Sequence, residues 1–160
     1  MSMLSFDTQA SLVFHLAREE ALNLGHAAVE PEHLLLGVLR TEDEASELLS
    51  EFGVHLEAIR EGLGALAGHP SPEGERVAVS SGAQRVMELA GSEAQGLGTN
   101  RVSTAHILLG IVHPDSFYEK GSVVRQVLEA LVDKKSVAEH DGFSLLRQHL
   151  IKLAQQQAKD

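Results

Sequence analysis

Residues 8–39 read TQASLVFHLAREEALNLGHAAVEPEHLLLGVL and residues 81–112 read SGAQRVMELAGSEAQGLGTNRVSTAHILLGIV, so one pattern recurs without a gap at an offset of 73 positions. Thirteen of the 32 aligned positions are identical, among them Ala10 and Ala83, Val13 and Val86, Glu20 and Glu93, Gly25 and Gly98, His33 and His106, and Gly37 and Gly110. A chain that contains itself twice is read as a repeat before anything else. The matched positions are mainly apolar or glycine, the types that set a core and its turns, so the duplication specifies architecture first.

Working outward, Ala10, Val13, Phe14, Ala17, Ala21 and Leu24 recur at helical spacing, with Thr8 or Asp7 as N-cap and Gly25 as the stop. Pro31 fits the first turn of a second helix running to about Arg40, and Glu32 adds negative charge at its start. A short third helix is expected around Ala45 to Phe52, ended by Gly53, and a fourth from near His55 with Leu56, Ile59 and Leu63 on one face. The glycine- and proline-rich stretch from Gly64 to Val79 reads as a connection. A fifth helix then repeats the first up to Gly98, and a sixth, capped by Ser103 or Thr104, repeats the second. Beyond Val112 the halves diverge. An amphipathic helix is expected through Val123 to Leu131, an insertion over Asp133 to Gly142, and a last helix with Phe143, Leu146, Leu150 and Leu153 on one face before a polar tail from Gln155. No segment alternates at period two. The expected fold is therefore all-α: two tandem four-helix repeats about a pseudo-twofold axis in one domain spanning 1–160, with repeat one at about 6–66, linker at about 67–79 and repeat two at about 80–154.

Composition narrows the function. Thirteen Lys and Arg face 23 Asp and Glu, a formal charge of −10 with no basic stripe, which argues against a nucleic-acid partner. With no cysteine, thiolate metal sites, disulfides and cysteine nucleophiles are excluded. The start of the chain has no positive charge before Arg18, and the longest apolar run is too short for a bilayer, so the expectation is a cytoplasmic protein without a membrane partner. There is no phosphate loop, nucleophile elbow or zinc-binding HExxH pattern. The expectation is a non-enzyme without cofactor. Glu30 and His33 have the spacing of a helical ligand pair, but Ser103 replaces Glu30 in the second copy, so no metal is expected and His33 is read as a structural histidine bonded to the inter-helix connection.

The runs Glu19-Glu20-Ala21-Leu22-Asn23-Leu24-Gly25-His26 and Glu32-His33-Leu34-Leu35-Leu36-Gly37-Val38-Leu39, echoed by Glu93 to Gly98 and Ala105 to Gly110, resemble the amino-terminal repeat domain of the Clp-type AAA+ unfoldases, nearest the ClpC branch. The resemblance covers about Phe6 to Leu150 and is weakest over His113 to Gly142. It implies an eight-helix double repeat that recognises substrates or adaptors for a separate motor. The expected function is a non-catalytic recognition module of Clp-type proteolysis, a free-standing accessory or competitor whose partners are Clp unfoldase or protease components, adaptors or substrates. The alternative is a protein that sequesters phosphoarginine-bearing ligands or cyclic-peptide antibiotics without the protease. The start at Met and the helical end favour a free-standing chain over a piece of a longer one.

The resemblance also implies a phosphoarginine pocket in each repeat, involving Asp7 and Glu32 in the first and Ser80 and Ala105 in the second. Glu32 keeps a carboxylate for guanidinium, whereas Asp7 would repel a phosphoryl group and Ala105 offers no carboxylate. Binding is thus expected to be weakened or lost, and Glu32 can equally serve its own helix start. For protein partners the same resemblance points to Phe6, Gln9 and Ala10 in the first copy and Arg85 and Val86 in the second. Phe6 also fits a hydrophobic staple onto helix one. The loop aromatics Phe117 and Tyr118 stand outside the periodic pattern, as a binding anchor or as packing beneath the loop.

Overall fold

Asp7 and Ser80, 73 positions apart, each start a helix in the same way. Asp7 Oδ1 accepts from the Ala10 N–H at 2.8 Å, and Ser80 Oγ accepts from the Ala83 N–H at 3.0 Å. Each takes up an otherwise orphaned amide of the first turn. A computed structural model describes residues 5–26, 28–51, 53–65, 78–113 and 142–159. In it α1 spans Thr8–Asn23, α2 Pro31–Thr41, α3 Glu44–Glu51, α4 Leu56–Ala65, α5 Ser81–Gly96, α6 Thr104–Val112 and α7 Gly142–Lys159. The expected Val123 to Leu131 helix, the body of the linker, and Phe117 with Tyr118 lie outside the described residues. Helix α7 runs on through the stretch expected to be a polar tail.

The helix ends follow local chemistry. Gly25 and Gly98 adopt φ values of 72° and 87° just after α1 and α5, a left-handed turn that glycine enters without steric cost. Pro31 occupies the first turn of α2. Within the pairs α1/α2 and α5/α6 the backbones nearly touch. A Cβ on Gly37 would lie 2.6 Å from the Val13 carbonyl oxygen, and one on Gly110 would lie 2.5 Å from that of Val86. The two crossings coincide under the 73-residue offset.

Against the expectation of essentially no sheet, four two-residue strands form two parallel pairs. Strands β1 (Ser5–Phe6) and β4 (Arg101–Val102) pair as Ser5 with Arg101 and Phe6 with Val102. Strands β2 (Ala28–Val29) and β3 (Ala78–Val79) pair as Ala28 with Ala78 and Val29 with Val79. Two residues are too few for alternation to register in a sequence. Shifting the first pairing by 73 in opposite senses on its two strands generates the second, so the leading strand of each repeat pairs with the inner strand of the other. This exchange is the interlock between the halves.

The core centres on α6, whose nine residues are all buried; α6 packs on α5, α7 and α2, with smaller contacts to α1 and α3. In α2, His33 to Leu39 are all buried. Each fully buried Leu or Ile contributes about 1.5–3 kcal/mol of transfer free energy. The Thr104 hydroxyl donates to Asp43 Oδ2 at 2.6 Å, while Asp43 Oδ1 caps α3 through the Ala45 and Ser46 amides, tying repeat two to the start of α3.

Matched carboxylates, one buried and one partly buried, brace the two halves. Glu20, 2% exposed, accepts from Arg40 at 3.0 Å and from two nitrogens of Arg60 at 2.9 and 2.8 Å. Burial alone would push its pKa up, but Arg60 and then Arg40 hold it below the ordinary carboxylate value. In the second copy Glu93 accepts from Arg147 of α7 at 2.7 Å, and His113, at the offset equivalent of Arg40, stands 3.9 Å away.

Candidate functional site

The strand exchange decides which candidate residues meet. The Ser80 N–H donates to the Val29 carbonyl at 2.9 Å, and a Cβ on Gly82 would lie 3.5 Å from the Pro31 ring. The start of α5 therefore sits against the start of α2, and Ser80 belongs with Glu32. In the mirror arrangement the Asp7 N–H donates to the Val102 carbonyl and the Ser5 N–H to that of Asn100, each at 2.9 Å. Asp7 belongs with Ala105. This corrects the expected grouping of Asp7 with Glu32 and of Ser80 with Ala105: each face is shared between repeats, because parallel pairing brings together residues far apart in sequence.

The two faces differ chemically. At the first, the positive end of α5, capped by Ser80, adjoins the start of α2, whose first turn carries Glu32. Glu32 is half-buried, and among the described residues no cation pairs with it. Its pKa is raised to about 7, chiefly by burial and further by the charge of Glu30, against the lowering effect of its own backbone N–H. Such a site suits a bipolar ligand with an anion at Ser80 and a cation at Glu32. At the second face Asp7 places a carboxylate at the helix start, and Ala105 has no exposed surface. The helix start that would take an anion carries a like charge there, and the position matching Glu32 carries no carboxylate.

Of the expected protein contacts, Phe6 is 41% exposed and Gln9 is exposed, whereas Ala10 and Val86 have no exposed surface and face the core. Their place in the helical core stripe excludes them as contact side chains. Arg85 is half-buried and reaches Glu88 at 3.2 Å. The Phe6 ring meets Phe14 edge-on with centroids 5.4 Å apart. Its partner is thus further along α1 than Ser11, where a staple would hold it. Sequence reading passes over Val79, 42% exposed, although the offset of 73 from Phe6 points straight at it.

His33 is buried with both ring nitrogens engaged. The Glu30 N–H donates to Nδ1 at 2.8 Å, and Nε2 lies 2.7 Å from His26 Nδ1. Neither nitrogen is left for a metal, which removes the Glu30 and His33 ligand pair. Burial, then the neighbouring His26, lowers the His33 pKa to about 4, against the opposing charge of Glu20. In the second copy the Ser103 N–H donates to His106 Nδ1 at 2.9 Å, but Thr99 stands where His26 does and His106 Nε2 is buried without a partner. Among the described residues there is no cluster of three metal-ligating side chains, and no helix is long and apolar enough to cross a membrane.

Comparison with known proteins places this geometry. The family described as Clp repeat (R) N-terminal domain matches residues 5–131. The negative regulator of genetic competence ClpC/MecB of Bacillus subtilis is 38% identical over 108 residues, covering 67% of this chain. Chaperone protein ClpB of Oceanobacillus iheyensis is 36% identical over 108 residues, again 67% of the chain. The match takes in only 13% of either relative's length. The crystal structure of the N-terminal domain of ClpD from Arabidopsis thaliana superposes with a TM-score of 0.70 at 23% identity, covering 96% of both chains. The Hsp104 N-terminal domain of Candida albicans gives 0.69 at 17% identity, covering 93% of this chain and 91% of its own. Both structural likenesses concern the fold.

Proposed function

The chain belongs to the Clp repeat N-terminal domain family, and from that premise we propose that it is a non-catalytic recognition module of Clp-type proteolysis, binding substrates or adaptors as an accessory or competitor. The observation that carries this reading is the pair of inter-repeat faces, each bordered by one exposed apolar residue, Phe6 or Val79, on the paired strands that join the repeats. Exposed apolar anchors on a rigid scaffold are the kind of group that concentrates binding free energy. The matched region is a small part of relatives named as a Clp ATP-binding subunit and a chaperone. Capture from native lysate tests the reading: the chain retains Clp components, and a Phe6→Ser, Val79→Ser double variant of unchanged stability retains at least tenfold less. Equal capture by both, or no Clp component with either, contradicts it.

A second reading, sequestration of phosphoarginine-bearing ligands, is favoured by the juxtaposition of Ser80 with the unpaired Glu32. Only that face keeps an uncharged helix cap opposite a helix start that carries a carboxylate, so calorimetric titration with free phosphoarginine is expected to show at most one weak site per chain. Guanidinium pairing needs the charged carboxylate, so affinity rises as pH increases through about 7 and Glu32→Gln removes the rise. Two equal micromolar sites would overturn this asymmetry.

A further inference from the structure

The connection between α1 and α2 is held by two imidazoles whose protons are fixed by geometry. A backbone N–H can only donate, so the Glu30 N–H on His33 Nδ1 requires a lone pair there and places the His33 proton on Nε2. That proton faces His26 Nδ1 at 2.7 Å, which must in turn be an acceptor. A proton added at His33 Nδ1 displaces the Glu30 bond; one added at His26 Nδ1 sets two N–H groups against each other. Both rings are buried, with centroids 4.9 Å apart, so neither can turn to water without opening the connection.

The second repeat is built differently. Its His106 also accepts from the N–H three residues back, but the Ser103 hydroxyl lies 3.0 Å from the same nitrogen and the His26 position is Thr99, which does not titrate. The His26 to Glu30 connection contains β2, the strand that pairs with β3 and orders Ser80.

We infer that the His26–His33 bond is a proton-sensitive latch: mild acid opens the α1–α2 connection and with it the β2–β3 pairing that sets Ser80 against Glu32, while the β1–β4 face holds. The charges that reach His33 are His26 in the connection and Glu20 of α1, the latter held by Arg40 of α2 and Arg60 of α4; Glu30 and Glu32 follow in the same segment. From α3, α5 and α6, which also pack on α2, no charge bears on it among the described residues. The latch needs no ligand, and only its consequence for the Ser80–Glu32 face rests on the recognition reading.

Linkage fixes the size of the effect. The closed connection holds His33 at about 4, so its protection is full above the ordinary imidazole pKa of about 6.5 and falls below it. At about pH 5 freeing His33 contributes about 30-fold, and its bond to His26 has no counterpart in the second repeat, where Thr99 stands instead.

Amide hydrogen exchange, expressed as protection factors, reads this at four matched N–H groups: Glu30 and Ser80 on the latched side, Ser103 and Asp7 on the other. Between about pH 7.5 and about pH 5 the first two are expected to lose measurably more protection than the second two. In His26→Gln, whose amide oxygen accepts from His33 Nε2 but does not titrate, the excess disappears. His26→Thr, which copies Thr99, serves if the glutamine variant fails to fold. Equal loss at all four amides in the unaltered chain, or an excess that persists in the variant, overturns the latch. Either result leaves partner capture to be judged separately.

Discussion

A hydrogen in place of a methyl group at Gly37 and Gly110 sets how closely the paired helices lie. Glycine inside a helix costs about 0.5–1 kcal/mol relative to alanine, so in an open helix alanine at these sites would stabilise. Here the added Cβ would lie within 2.6 Å of a carbonyl oxygen at either site, and the obstructing atom is backbone. Overpacking of this kind costs about 1–3 kcal/mol. Gly37→Ala and Gly110→Ala are each expected to lower stability by about that amount in urea unfolding, whereas Gly96→Ala, with nothing within 4 Å of its Cβ, is expected to be neutral or stabilising. The matched glycines are legible from the offset alone; the carbonyls they approach are not.

At the scale of elements, the braced carboxylates separate what a sequence discloses from what it hides. Helix starts and stops are written locally, in Asp7, Pro31, Gly25, Gly53 and Gly98, and so could be read directly. The strand pairs are too short to show a period, and their partners lie in the opposite repeat, so the shared faces of Ser80 with Glu32 and of Asp7 with Ala105 emerge only in three dimensions. The same holds for Glu20. Its partner Arg60 is 40 residues away, and Arg147 reaches Glu93 from a helix that does not follow the offset. Glu20→Gln removes the buried charge that Arg40 and Arg60 share, though each keeps a more exposed carboxylate, Glu19 at 3.7 Å and Glu57 at 3.3 Å. A loss of about 1–3 kcal/mol is expected near neutral pH, and a smaller one for Glu93→Gln, whose carboxylate accepts from Arg147 with His113 farther off. Because the folded pKa of Glu20 lies below its ordinary 4.5, the stabilisation is present above that value and fades as pH falls, so the Glu20→Gln difference in chemical denaturation shrinks in acid.

Across the whole molecule, the duplication yields two lobes that trade their leading strands, and each shared face stands beside one exposed apolar side chain. Divergence has left the faces unequal, one bipolar through Ser80 and Glu32, the other carrying the Asp7 carboxylate and the shorter Ala105. On the proposed reading the scaffold captures other chains through its surface while the core keeps the two faces in register. Amide-resolved NMR during titration with a disordered polypeptide, in arginine-phosphorylated and unmodified forms, tests that claim most directly. Shifts at residues 28–33 and 78–84 that are larger with the phosphorylated form, with shifts about Phe6 that do not depend on phosphorylation, are the predicted result; no perturbation by either form, or shifts confined to α3 and α7, would contradict it.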